Sequence, residues 1–181
     1  LCFDYRLSPE HPFPAAHEDA LKAWNHLMLL GYGARDIIVA GDSAGGNMAL
    51  ALVHKLKAQE RLLPRGLILM SPWTDLTASG KSHETKAMLD PVLSAEYLHQ
   101  VTHAYAAGQD LFDPMISPLF GCFEGFPRTY IQVGDNEILL SDSTSLYKRM
   151  MKDGVAAKID IFKGMWHVFQ MSPFKTAYED M

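Results

Sequence analysis

Cysteine is scarce in this 181-residue chain: Cys2 and Cys122 allow at most one disulfide, and no C-x-x-C pair offers a zinc ribbon or a dithiol motif. A reduced compartment, the cytoplasm, is the expected location. Positive charge is also short, with 16 basic residues scattered among 21 acidic ones and a net charge of −5, so neither nucleic acid nor an anionic membrane surface is expected as a partner. No apolar run approaches the roughly 18 residues that span a bilayer, which excludes membrane insertion by a helix. Repeats, low-complexity tracts and linkers are missing, so solenoid and multi-domain readings fall away. A secretory signal pattern is lacking too. Residue 1 is leucine, however, and Leu1-Cys2-Phe3-Asp4-Tyr5 reads as the end of a strand already in progress, so further chain upstream is expected.

What is present is enough apolar material, 48% of residues, for one substantial core, and residues 1–181 read as a single domain. Three prolines in Ser8-Pro9-Glu10-His11-Pro12-Phe13-Pro14 demand an extended loop after the first strand. From Ala15 to Leu30 the residues Ala16, Ala20, Trp24, Leu27 and Met28 recur at helical spacing, and Gly31 closes the segment. Ile37–Ala40, Gly66–Met70, Thr129–Val133 and the alternating run Ala157–Phe162 read as further strands. Helices are expected from Asn47 to about Lys57, Ser94 to Ala107, Asp142 to Lys152, and after His167. Strands separated by helices predict a doubly wound, mostly parallel α/β sheet, with the irregular stretch from Ser71 to Phe126 free to build a pocket.

The chain is organised around Gly41-Asp42-Ser43-Ala44-Gly45, between an apolar strand and a helix-prone stretch. A serine hydroxyl becomes a competent nucleophile when a strained turn lifts it clear of its neighbours beside a base. Gly41 and Gly45 lack the β-carbons expected to collide where strand reverses into helix, and the Ala44 N–H would face the oxygen that turns negative during acyl transfer. In a parallel α/β sheet ligands bind beyond the carboxyl ends of the strands. Ser43 follows one strand, the acids Asp135, Glu137 and Asp142 follow another, and His167 follows the last, in the chain order nucleophile, acid, histidine. His167 would serve as general base, with one of the acids fixing its tautomer. His11, His17, His26, His54, His83, His99 and His103 are read as structural. No pair of histidines or cysteines stands at ligand spacing beside the strand ends, so no metal and no cofactor is expected.

Four stretches carry a family resemblance: Asp4-Tyr5-Arg6-Leu7-Ser8-Pro9-Glu10-His11-Pro12-Phe13-Pro14-Ala15-Ala16, Gly41-Asp42-Ser43-Ala44-Gly45-Gly46, Ser71-Pro72-Trp73-Thr74-Asp75-Leu76 and Gly164-Met165-Trp166-His167-Val168-Phe169. Together they resemble the hormone-sensitive-lipase-like α/β-hydrolases, also called GDXG lipases or bacterial family IV esterases. The resemblance implies an α/β-hydrolase fold and a serine carboxylesterase that cleaves short- to medium-chain esters through an acyl-enzyme on Ser43, with a small-molecule ester as its partner. It also implies a homodimer through the last strand, a feature common in relatives. Trp73, Met165 and Trp166 are the candidate pocket residues. A non-catalytic small-ligand binder on the same fold is the alternative, and His167 argues against it, because receptors of that kind have lost the histidine.

Two departures qualify the match. The family's acid is usually aspartate, and here its position is held by Glu137 in Gly134-Asp135-Asn136-Glu137-Ile138-Leu139, with Asp135 as the alternative. The family's His-Gly-Gly-Gly loop, which supplies further oxyanion donors, would lie upstream of Asp4, together with the cap and a strand expected between the first two strands of this chain. These 181 residues alone are therefore expected to be a poor esterase, since losing one oxyanion donor costs about 3 to 4 kcal/mol, or roughly 10² to 10³ in rate. Turnover of a short-chain ester by this chain, compared with a form carrying the upstream sequence, should show that deficit; equal rates and equal stability would refute it.

Overall fold

The computed structural model describes residues 1–172. After an irregular entry come α1 (Ala15–Leu29), β1 (Ile38–Asp42), α2 (Ala44–Ala58), β2 (Gly66–Met70), the short α3 (Ser82–Thr85), α4 (Ala95–Ala106), β3 (Arg128–Gly134), α5 (Leu140–Lys152) and β4 (Ala157–Phe162). The four strands form one parallel sheet in the order β1-β2-β3-β4. Each strand and helix expected between Ala15 and Phe162 is present, with ends displaced by at most two or three residues. Of the helix expected after His167, the described residues show a 3-10 turn, Phe169–Met171, which ends at an extended Ser172. The rest of that expectation lies outside the described residues.

The first expected strand does not form: Leu1 to Leu7 makes no ladder, and β1 is the edge of the sheet. A strand exists only through its partner's hydrogen bonds, and here Leu1 and Phe3 face Ile38 and Ala40 across a groove of about 140 Å³ instead of pairing with them. Residues 1–7 are held by other means. Arg6 grips Asp19 on α1 through Nε at 2.8 Å and reaches Glu18 at 2.9 Å.

Strand alternation decides where the core sits. Leu67 and Leu69 project to one face beside Ile131, and the helical pairs Leu50–Val53 of α2 and Leu146–Met150 of α5 close over them. Trp24 of α1 packs on Leu52 and Leu56 of α2 as an outer layer. On the opposite face Ile68 and Tyr130 are half-buried, while Ile38 and Ala40 of β1 are exposed. The long excursion after β2 builds its own apolar cluster, in which Trp73, Leu76, Leu98 and Ile116 meet Ile138 and Leu139 at the entry to α5. Ser94 starts α4 by accepting from the Tyr97 N–H at 3.1 Å, a conventional N-cap.

His54 on α2 is enclosed by Phe123 and Phe126, with ring centroids 5.4 and 4.7 Å away. Burial lowers its pKa to about 4. The unfolded chain takes up this proton near pH 6.5 and the folded chain only near 4, so the fold loses stability as the pH falls between those values. Replacing it, as in His54→Leu, should improve stability relative to wild type by about 3 kcal/mol when the pH is lowered from 7.5 to 4. Urea unfolding of both proteins at the two pH values measures this, and a difference that does not change with pH would refute it.

Candidate active site

Parallel register brings the carboxyl ends of the strands to one edge. Asp42 stands opposite Met70, Met70 opposite Gln132, and Gly134 opposite Phe162. Residues leaving β1, β2, β3 and β4 therefore converge on the same edge.

Ser43 leaves β1 in a left-handed conformation, φ 51° and ψ −118°. Such a backbone costs a non-glycine residue about 1 to 3 kcal/mol and persists only when its surroundings enforce it. Four main-chain bonds do so. The Ser43 N–H donates to the Met70 carbonyl at 3.0 Å, and the Ser43 carbonyl accepts from Trp73 N–H at 3.0 Å, Gly46 N–H at 3.1 Å and Asn47 N–H at 3.3 Å. The glycine requirement differs in part from the expectation. A β-carbon on Gly41 would run into the Gly45 carbonyl, but one on Gly45 would meet nothing within 4 Å. The second crowded position is Gly46, where it would lie 2.7 Å from Pro72 Cβ. Ser43 is half-buried, and its hydroxyl makes no hydrogen bond among the described residues, to His167 or to any other group. The N–H of Ala44 is the first of α2 and donates to no described acceptor, and the positive end of the helix lies there.

The three candidate acids go to three different places. Glu137 is fully buried, and its Oε2 accepts from His167 Nδ1 at 3.1 Å. Its Oε1 accepts from the Ser71 hydroxyl at 2.7 Å and from the Gly134 N–H. Burial raises the Glu137 pKa, while the bonds from His167, Gly134 and Ser71 pull it back. A carboxylate at Nδ1 favours the neutral tautomer that carries its proton there and its lone pair on Nε2. Asp135 instead accepts from the Gly164 N–H at 2.6 Å, bracing the turn that carries His167. Asp142, in the first turn of α5, accepts from Thr74 N–H at 2.8 Å, Asp75 N–H at 2.9 Å and His83 Nε2 at 3.0 Å. Burial raises its pKa too, opposed by those same partners.

Sequence reasoning passed over Ser71 as an individual residue. Its hydroxyl donates to Glu137 and accepts from the Val168 N–H at 3.1 Å, so one side chain ties the acid to the histidine's loop. The available signal was its position, since Ser71 is the first residue past β2 just as Ser43 is the first past β1. Asn47 was missed as well. Its amide donates to the carbonyls of Trp73 at 3.0 Å and Ile116 at 2.8 Å, joining α2 to the excursion. Of the expected pocket residues, Trp73 borders a cavity of about 220 Å³ that also touches Ala44. Met165 contributes its carbonyl to Asn136 N–H at 3.0 Å, and a β-carbon on Gly134 would strike that carbonyl, so the exits of β3 and β4 interlock. Among the described residues no group of three histidine, cysteine or acidic side chains could hold a metal ion, and no helix is long and apolar enough to cross a membrane.

A strained serine between β1 and α2, and a bonded acid–histidine pair past β3 and β4 of the same parallel sheet, follow the pattern of α/β-hydrolases. The chain belongs to the alpha/beta hydrolase fold family, whose model matches residues 1–171. Within that family it resembles the hormone-sensitive-lipase-like branch, as its motifs indicate. It is 42% identical over 173 residues to an esterase of Acinetobacter venetianus and 36% identical over 169 residues to an acetyl-hydrolase of Streptomyces hygroscopicus, covering 93% of this chain and 56% of each relative. A crystal structure of an esterase from the bacterial hormone-sensitive lipase family superposes with a TM-score of 0.95 at 36% identity, over 98% of this chain and 60% of that one. The chain thus spans a little over half the length of these relatives.

Ser71 offers a direct test of the buried network. Ser71→Ala removes a donor to a buried carboxylate and the acceptor of Val168 N–H, and should cost about 1.5 to 3 kcal/mol in denaturant unfolding. A loss below about 0.5 kcal/mol would show that the network does not depend on it.

Proposed function

We propose that this chain carries the nucleophile, base and acid of a serine carboxylesterase acting on short- to medium-chain esters. The observation that supports this most is the buried Glu137–His167 hydrogen bond, standing at the same sheet edge as the strained Ser43. In this reading His167 Nε2 takes the Ser43 proton as the serine oxygen attacks the ester carbonyl. Glu137 stays ionised and steadies the imidazolium, and the Ala44 N–H receives the developing oxyanion. His167 then protonates the leaving alcohol. A water deprotonated by the same histidine releases the acid from the acyl-enzyme.

Glu137 is preferred to Asp135 because its carboxylate meets the imidazole, whereas Asp135 is engaged by Gly164. The cytoplasmic location belongs to the same proposal and is supported by two exposed free thiols, Cys2 and Cys122. A homodimer is proposed on the family resemblance alone.

A fluorophosphonate should label Ser43, located by mass spectrometry, and Ser43→Ala should abolish both labelling and ester turnover. Glu137→Gln should lower turnover by about 10² to 10⁴, the range found when a triad acid is lost, while Asp135→Asn should cost much less. An adduct on another residue, or the reverse order for the two acids, would overturn these assignments.

A further inference from the structure

Two cavities adjoin at Trp73 and Leu76, and one of them reaches Ala44, the residue after Ser43. The nearer, about 220 Å³, touches Ala44 and Asn47 and is also lined by Tyr105 and His17, whose hydroxyl and Nε2 are hydrogen-bonded 3.1 Å apart. The farther, about 340 Å³, lies against α4, where Leu98, Thr102 and Ala106 line it. Among the described residues only Trp73 and Leu76 line both. These two buried side chains form the wall between the cavities.

Ala44, which lines the nearer cavity, directly follows the proposed nucleophile, so this cavity is open to one arm of an ester held at Ser43. Arg6, Ser8 and Asn47 also border that cavity, but Leu7, Met48, Leu76 and Val101 give it apolar walls, which suit an alkyl arm. The wall is fixed through its main chain. Trp73 donates its N–H to the Ser43 carbonyl at 3.0 Å and accepts from Asn47 at 3.0 Å, and the Leu76 N–H donates to Ser117 Oγ at 2.9 Å. The side chain of Trp73 has no such tie, since its indole N–H lacks a hydrogen-bond partner among the described residues. Packing alone holds the ring, although a buried indole N–H usually finds an acceptor. Removing the ring therefore leaves the bonds that support the serine turn in place.

We propose that the Trp73 and Leu76 side chains set the longest alkyl arm the site accepts, by closing the nearer cavity against the farther one. This rests on the esterase reading above. With the wall intact the site takes short arms. With it removed, the two cavities join and the arm can run on towards α4. Each further methylene that gains an apolar surface, instead of meeting the indole, adds to binding in the reactive complex.

The test uses p-nitrophenyl phosphonates in two series, one lengthening the alkyl group on phosphorus and the other the alkoxy group, each from two to twelve carbons. The rate of Ser43 labelling is followed by mass spectrometry. In the wild type the rate should fall with length in at least one series. Trp73→Ala should raise the rate of the long probes relative to the shortest by about tenfold or more. Leu76→Ala should act in the same direction, and Trp73→Phe should lie between wild type and alanine. The two milder variants keep the test decisive if Trp73→Ala does not fold. Labelling of Ser43 with the same length profile in every folded variant would overturn the proposal and leave the esterase reading standing. Failure of every probe to label Ser43 in the wild type would overturn both.

Discussion

Burying an ionised carboxylate without partners costs several kcal/mol, and Glu137 has no exposed surface at all. The fold meets that cost with donors from three separate strand exits. Gly134 N–H comes from the end of β3, the Ser71 hydroxyl follows β2, and His167 Nδ1 follows β4. The three can meet only while β2, β3 and β4 keep their register, because a slip of one residue would carry each donor to the other face of the sheet or about 3.3 Å along it. Register in turn rests on the Leu67, Leu69 and Ile131 face, which α2 and α5 cover. Polar site and apolar core are therefore two expressions of one alignment.

The sheet, its helices and the placement of Ser43, the acidic cluster and His167 past strand ends were legible because each depends on local pattern: apolar strand runs, helical periodicity and residues just past strand ends. Two kinds of feature were not. Leu1–Tyr5 has the composition of a strand, but pairing is a property of two segments, and none of the described residues supplies the second. The choice among Asp135, Glu137 and Asp142 was open at the level of residues, because all three lie within eight positions and only side-chain direction separates them. Gly45 was misjudged for a related reason. Which glycine in a Gly-rich turn is crowded depends on what packs beside it, and Pro72, distant in sequence, picks out Gly46.

Among the described residues two buried acid–histidine pairs share a similar geometry, Glu137–His167 and Asp142–His83, with separations of 3.1 and 3.0 Å. Their surroundings distinguish them. Asp142 also accepts two main-chain N–H groups from Thr74 and Asp75, so it pins the start of the excursion to α5. Glu137 draws its other partners from the strand exits and the loop holding the histidine. A pair of this kind defines a site only through where its second imidazole nitrogen is delivered, and the sheet edge is what differs between the two.

Ser43, Ser71 and Val168 all hold a left-handed backbone, with φ of 51°, 48° and 50°. Glycine occupies that region without penalty. At the two serines the hydroxyl is the reason to bear the strain, because one is the proposed nucleophile and the other joins the acid to the histidine's loop. Selection for thermal tolerance alone would favour glycine at both, and would erode chemistry while the fold improved. Ancestral or laboratory lineages drifting towards robustness should therefore lose this centre at its bends before they lose it at its carboxylate.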